Sequence, residues 1–203
     1  YLQVTAGSYG LRDFAGPDEF EPTVFLYADE KPLIGAAARD GIKVIFLDDT
    51  RWKRRDMKTT QLLSQALAYR TAREAGADTA FMVEDGRVTE AASANAWIVN
   101  GEGHLVTRDL SPSILPGITR AGVVDLLEGS GIRLVERAFT PDEAAGAKEV
   151  FTTSAGAMIA PVVAIEGKPV GSGKPGPVTR QIQRLYYQSM GADVANVAPW
   201  TMG

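Results

Sequence analysis

The chain has 203 residues and a formal net charge of -4, from 21 basic against 25 acidic side chains, a balance that argues against nucleic acid as a partner. It has no cysteine and a single histidine, His104, which excludes a disulfide framework, a thiolate nucleophile and Cys-based metal sites and leaves little for a zinc centre or a serine triad. No apolar run approaches the length needed to cross a bilayer, so the expectation is a cytoplasmic protein with neither a membrane segment nor a metal.

The N-terminal stretch YLQVTAG (1–7) alternates like a strand, and its opening on Tyr1 suggests that a beginning is missing. Residues 8–22 are a loop rich in Gly, Pro and Asp, and TVFLYA (23–28) resumes a strand. KVIFLDD (43–49) is an apolar, β-branched run of strand length. The basic cluster Arg51, Lys53, Arg54 and Arg55 that follows is flanked by Asp48, Asp49 and Asp56 and reads as a mixed-charge surface. Leu62, Leu63, Ala66, Leu67 and Tyr69 then recur at helical intervals up to a stop near Gly76.

AFMVEDGRVTEA predicts a hairpin around Asp85-Gly86, and NAWIVNGEGHLVT a second one around Asn100-Gly101. Between them Thr89 to Asn95 has to cross from one strand to the next, carrying Glu90. A Pro-rich loop (111–117) feeds the helix ITRAGVVDLLEGSG, which stops at Gly129 to Gly131. GIRLVERAF predicts a strand, and TPDEAAGA a short helix with Thr140 as N-cap and Pro141 at its first position. EVFTTSA runs into small residues, PVVAIEGKPV makes a hairpin around Glu166-Gly167, and VTRQIQRLYYQSMG is an amphipathic last helix before a tail that Trp200 could pin. Strands and helices alternate without a strict βαβ rhythm, which predicts a mixed α+β domain rather than a doubly wound sheet.

Several residues stand out chemically. Lys58 sits between a strand and a helix, where a desolvated amine can act as a Schiff-base nucleophile; it is equally one more solvated cation in the run RWKRR…K. Glu90 is either an exposed hairpin glutamate or an internal carboxylate, and the small residues that follow it speak for the second. PGITR sets Gly117, Ile118 and Thr119 at a helix N-terminus, where free amides favour an anion, and the turn Thr152 to Gly156 could add Ser154 and the Ala155 amide.

RWKRRDMKTTQLL resembles the lysine segment of the fold-type IV pyridoxal-phosphate enzymes, the class IV aminotransferases. VTEAASANAWIV (88–99), ILPGITR (114–120) and EVFTTSAGAMIAPVVAIEGKPVG (149–171) resemble further segments of that family, in its order and at its spacing. The resemblance implies the large domain of that fold over residues 41–190, a remnant of the small N-terminal domain over 1–31 with only its last strand present, a linker over 32–40 and a tail over 191–203. It implies pyridoxal 5'-phosphate as cofactor, with Lys58 as its tether and as general base, and Glu90 at the pyridine nitrogen. Leu115 would pack on the ring, while Gly117, Ile118, Thr119, Ser154 and Ala155 would surround the phosphate. Where close relatives have threonine this chain has Ala155, so one side-chain hydrogen bond is lost and the amide is kept. Arg12 falls near the place of a substrate-carboxylate arginine, although it could instead pair with Asp13.

YLQVT before a Gly-rich loop, together with RWKRRDMK, is more similar to the D-amino acid and (R)-amine transaminases than to the branched-chain group. The implied reaction is transfer of an amino group from a D-amino acid or (R)-amine to a 2-oxo acid through a Lys58 Schiff base. The alternatives are a branched-chain transaminase, an aminodeoxychorismate-type lyase, or a truncated relative without activity. By family analogy the chain would form a homodimer.

Overall fold

The computed structural model describes residues 1–8, 10, 14–16, 18–32 and 34–202. The chain divides into two compact units, Tyr1–Leu33 and Ile34–Gly203. In the first unit β1 (Leu2–Thr5) pairs antiparallel with β2 (Thr23–Leu26), Leu2 opposite Leu26 and Thr5 opposite Thr23. The Tyr1 ammonium donates to the Tyr27 carbonyl at 2.8 Å, and the two rings stack with centroids 5.3 Å apart. Arg12 and Asp13 lie outside the described residues, so the expected substrate-carboxylate contact has no structural counterpart to report.

The second unit begins with helix α1 (Ala36–Asp40), which occupies the stretch read as a linker, and continues into β3 (Ile42–Asp48). After helix α2 (Leu63–Glu74) come β4 (Thr79–Glu84), β5 (Arg87–Ala91), β6 (Asn95–Val99) and β7 (Leu105–Thr107). Helix α3 (Ile118–Leu126), β8 (Leu134–Glu136) and helix α4 (Pro141–Ala145) follow. The unit closes with β9 (Glu149–Ser154), β10 (Met158–Ile165), the short β11 (Lys168–Pro169), and helices α5 (Pro177–Ser189) and α6 (Val194–Val197).

All strands from β3 on belong to one nine-stranded sheet in the order β5-β4-β3-β10-β9-β6-β7-β8, with β11 paired to β10. β3 runs parallel to β4 and β10, and β7 parallel to β8, among otherwise antiparallel neighbours, which gives the mixed α+β class. The sheet curls until its edges almost meet: Val88 of β5 bridges Phe139, just beyond β8, its amide donating to the Phe139 carbonyl at 2.9 Å. An edge strand is a row of unpaired amides and carbonyls, and curling of this kind leaves little of it exposed.

Alternation along the strands sorts the core into layers. Val44, Phe81, Val88, Ala96, Ile98, Val150 and Val162 face the interior of the curl, around the fully buried Phe139. Their neighbours point outward to the helices: Ile45, Ala80 and Met82 pack on Ala68 and Ala72 of α2, while Trp97, Phe151 and Ile159 meet Val123 and Leu127 of α3 and Ile182 of α5. Trp97 and Phe151, opposite each other in register, stack with ring planes only 9° apart.

The Asp85-Gly86 turn has φ of 51° and 68°, the pair of left-handed residues that a two-residue hairpin needs. The hairpin expected at Asn100-Gly101 is instead a longer loop. The Asn100 side chain accepts from the Glu102 and His104 amides at 3.0 and 2.9 Å, and Gly103, not Gly101, takes the positive φ. GIRLVERAF contributes a ladder at Leu134–Glu136 alone, since the chain must leave it for Phe139 to reach Val88. Thr140 caps α4 through a reciprocal bond with Glu143, as its sequence predicts. Residues 191–203, expected as a tail, carry α6 and a 3-10 turn, and Val194 and Ala198 are buried against Tyr187 of α5 with Trp200 packed alongside.

Candidate active site

A cavity of about 560 Å³ opens within the second unit, in the range of pockets that hold a small organic molecule. The crossing from β3 to α2 supplies Lys58, β5 supplies Glu90, and the loop before α3 supplies Leu115 to the same cavity. Gly117, Ile118 and Thr119 line it from the start of α3, and Ser154 and Ala155 line it from the turn between β9 and β10. Residues as far apart in sequence as Lys58 and Ala155 are thus brought to one wall, because β3 and β9 are separated only by β10 in the sheet. Lys58 itself is exposed, on a segment without regular structure.

Glu90 belongs to β5 and not to a crossing loop; the crossing is only 92–94, closed by a bridge between Ala91 and Ala94. It is 4 % exposed, which removes the reading of a surface hairpin glutamate. One of its oxygens accepts from Arg51 Nη1 at 2.6 Å, and the other from Asn95 Nδ2 at 3.1 Å and the Leu115 amide at 3.2 Å. A carboxylate has about four acceptor directions, so three donors leave one over. Burial pushes the Glu90 carboxyl up from its ordinary value, while the Arg51 guanidinium and the Leu115 amide pull it down.

The cluster Arg51–Arg55 is the clearest correction to the sequence reading. It is only in part a mixed-charge surface, formed by the exposed Lys53 and Arg54, while the side chains of Asp49, Arg51 and Arg55 are 0 %, 7 % and 2 % exposed. Arg51 donates from Nε and Nη2 to both oxygens of Asp49, at 2.9 and 2.7 Å. Arg55 lies 3.2 Å from the other side of Asp49 and bonds Glu84 at 2.8 Å, and Lys53 closes the chain on Glu84 from the surface. Thr89 donates to Asp49 at 2.6 Å. Burial of charge is tolerated because each ion meets an opposite one. In sequence, cations interleaved with aspartates look the same whether they lie on a surface or turn under the end of a sheet.

Asn95 is the other residue that sequence reasoning passed over. Besides Glu90 it bonds the Leu115 carbonyl at 2.8 Å, so it ties β6 to the loop before α3. Gly117 lies so close that a Cβ there would stand 2.3 Å from Asn95 Oδ1. The small-residue run after Glu90 was the available signal, since it lets β6 and the α3 loop approach this nearly.

Gly117 is the N-cap of α3 and has no side chain to turn inward, so the first-turn amides of Ile118 and Thr119 are left for whatever occupies the cavity. Across from them the Ser154 hydroxyl accepts from the Ala157 amide at 3.2 Å, which leaves its own proton to donate. The site therefore offers an amine, a buried carboxylate with one direction to spare, and two groups of anion-binding donors. Among the described residues no group of three or more His, Asp or Glu could hold a metal, and no helix is long and apolar enough to cross a membrane.

A curled mixed sheet whose cavity combines these groups defines a site for an anionic, ring-containing molecule, and residues 1–165 match the model of the family described as amino-transferase class IV. The chain belongs to that family, whose structurally characterised members include enzymes with pyridoxal phosphate bound. It is 36% identical over 196 residues to a D-alanine aminotransferase of Bacillus licheniformis, a match covering 96% of this chain and 68% of that protein. A D-alanine aminotransferase of Staphylococcus aureus (strain COL) is 33% identical over 183 residues, covering 90% and 64%. Among solved structures, the branched-chain amino acid aminotransferase of Escherichia coli superposes with a TM-score of 0.74 at 27% identity, over 92% of this chain and 64% of that one. That of Thermobaculum terrenum in its PLP form gives 0.75 at 24% identity, over 93% and 64%, a likeness of fold. The chain thus spans about two thirds of the length of the curated relatives it matches.

Proposed function

We propose that this chain carries the pyridoxal-phosphate site of an aminotransferase that moves an amino group from a D-amino acid or (R)-amine to a 2-oxo acid. The observation that carries the reading is the meeting of Lys58, the buried Glu90 and the N-terminus of α3 in one cavity. The residues fit the cofactor: Glu90 has an acceptor direction in reserve for a ring N–H, and the absent Cβ at Gly117 keeps the α3 amides open.

When bound, pyridoxal phosphate supplies an electron sink for the bond between the donor's α-carbon and its hydrogen. Lys58 provides the amine that tethers the cofactor and, once released, takes the α-proton and later returns it. Glu90 accepts the hydrogen bond of a protonated ring nitrogen. Leu115 lies against the ring, while Ile118, Thr119, Ser154 and the Ala155 amide hold the phosphate. Arg12 would meet the substrate carboxylate.

The D-alanine aminotransferases among the sequence relatives support the D-amino acid preference, whereas the structural likeness to the Escherichia coli branched-chain enzyme supports the alternative. In the full-length protein an absorbance band near the visible edge should appear with pyridoxal phosphate and vanish in Lys58→Ala, along with amino transfer. D-alanine with 2-oxoglutarate should turn over faster than L-leucine. A wild type that binds no pyridoxal phosphate would refute the reading, and the reverse order of donors would move it to the branched-chain group.

A further inference from the structure

We propose that Arg51 is a positioning residue that sets on which atom the proton between Glu90 and the cofactor's ring nitrogen resides, keeping it on the nitrogen. The proposal rests on the pyridoxal reading of the cavity and concerns a residue that does not itself meet the ring nitrogen.

The geometry is a fork used on two sides. Nε and Nη2 of Arg51 grip both oxygens of Asp49, at 2.9 and 2.7 Å, which fixes the plane of the guanidinium, and Nη1 then points at Glu90 at 2.6 Å. Asp49 is itself immobilised, by the Thr89 hydroxyl at 2.6 Å and by Arg55 at 3.2 Å. Glu90 is therefore held at one oxygen by a cation that cannot swing away. The Asn95 amide and the Leu115 N–H hold its other oxygen, so the remaining acceptor direction is not free to wander.

A proton shared by a carboxylate and a pyridine nitrogen goes to the partner whose charge the surroundings tolerate less well when the proton is absent. Burial alone would favour a neutral Glu90, and Asp49, as a like charge, pushes the same way. Arg51 is the nearest opposing charge. The other charged groups around this point are Arg55, which is spent on Asp49 and Glu84, and Lys58, which lines the same cavity. With Arg51 in place Glu90 stays ionised and the nitrogen keeps the proton. Without it Glu90 takes the proton, and the ring nitrogen is left neutral and a weaker acceptor of electrons. A lysine at this position would retain the charge but not the grip on Asp49.

The test is the nitrogen-15 NMR shift of ring-labelled pyridoxal phosphate bound to the full-length protein, with carbon-13 glutamate titrations of the unloaded form. Wild type should show a pyridinium shift, Arg51→Met a neutral-pyridine shift, and Arg51→Lys a return towards pyridinium. In the unloaded protein the Glu90 midpoint should rise by about 1 to 3 pH units on Arg51→Met. An Arg51→Met protein that keeps the pyridinium shift overturns the proposal. Should that variant not fold, a Glu90 already protonated at neutral pH in unloaded wild type overturns it equally, and an ionised one supports it. Glu90→Gln separates the two layers: if it leaves the pyridinium shift untouched, Glu90 does not face the nitrogen, and the underlying site reading fails before Arg51 is considered.

Discussion

The approach of Gly117 to Asn95 gives the site its tightest single-residue constraint. The backbone at Gly117, φ -66° and ψ 137°, suits any residue, so conformational freedom is not what glycine provides there. What matters is the missing Cβ, which would stand 2.3 Å from Asn95 Oδ1. Gly117→Ala must displace Asn95, which donates to Glu90, and must shift the first turn of α3. The expected result is a loss of about tenfold or more in affinity for pyridoxal phosphate, about 1.4 kcal/mol, with little change in thermal stability. A fluorescence titration of the unloaded protein measures it, and unchanged affinity would remove Gly117 from the site.

Helix α5 shows how an element is fixed from outside itself. Its N-cap, Gly176, has no side chain, and Glu149 of β9 takes over the task. The Glu149 carboxylate accepts from the Val178 and Thr179 amides at 3.0 and 2.8 Å and from the Thr179 hydroxyl at 2.7 Å, a negative charge at a helix N-terminus. A Cβ on Gly176 would come within 2.2 Å of that carboxylate, so helix and strand meet as closely as glycine allows. Glu149→Ala leaves these buried donors unmet and should cost about 2 to 4 kcal/mol, read from urea unfolding. A cost below about 0.5 kcal/mol would mean that the cap contributes little.

Such ties explain what was legible in the sequence and what was not. Features fixed by neighbours along the chain could be read: the Asp85-Gly86 turn, the Thr140 cap, the period of α2 and the alternation of β3. The site segments could be read because the resemblance supplied them in order. Features fixed across the fold could not. Nothing near Asn100 shows that its side chain will close a longer loop. Nothing near Asp49 shows that the following arginines turn inward, and nothing in β10 names β3 as its parallel partner. The same holds for the curl, which depends on Val88 finding Phe139 some fifty residues away.

At the scale of the molecule, the segment that carries Lys58 lacks regular structure and an apolar face of its own; Trp52, Met57 and Leu62 along it are exposed. Its anchors are Arg51 and Arg55, together with one backbone bond from the Arg55 amide to the Pro112 carbonyl at 2.9 Å. Of the anchoring carboxylates, Glu84 is the one that reaches solvent. Arg55 first and Lys53 second hold its carboxyl down at about 2, against an ordinary 4.5. A lowered value means stability that is complete above 4.5 and lost as pH falls through about 2. The amine therefore hangs from the sheet by a clasp that acid undoes from the solvent side inward, while the aliphatic and aromatic layers behind it have nothing to titrate. Deuterium uptake at the Arg55 amide, corrected for its intrinsic pH dependence, should climb across that window ahead of the Trp97 and Phe151 amides. Glu84→Gln should show the climb already at neutral pH, and simultaneous exposure of all three amides would mean that the clasp has no separate existence. The cavity could then lose its reactive arm while its walls still stand, a mode of inactivation that circular dichroism would not register.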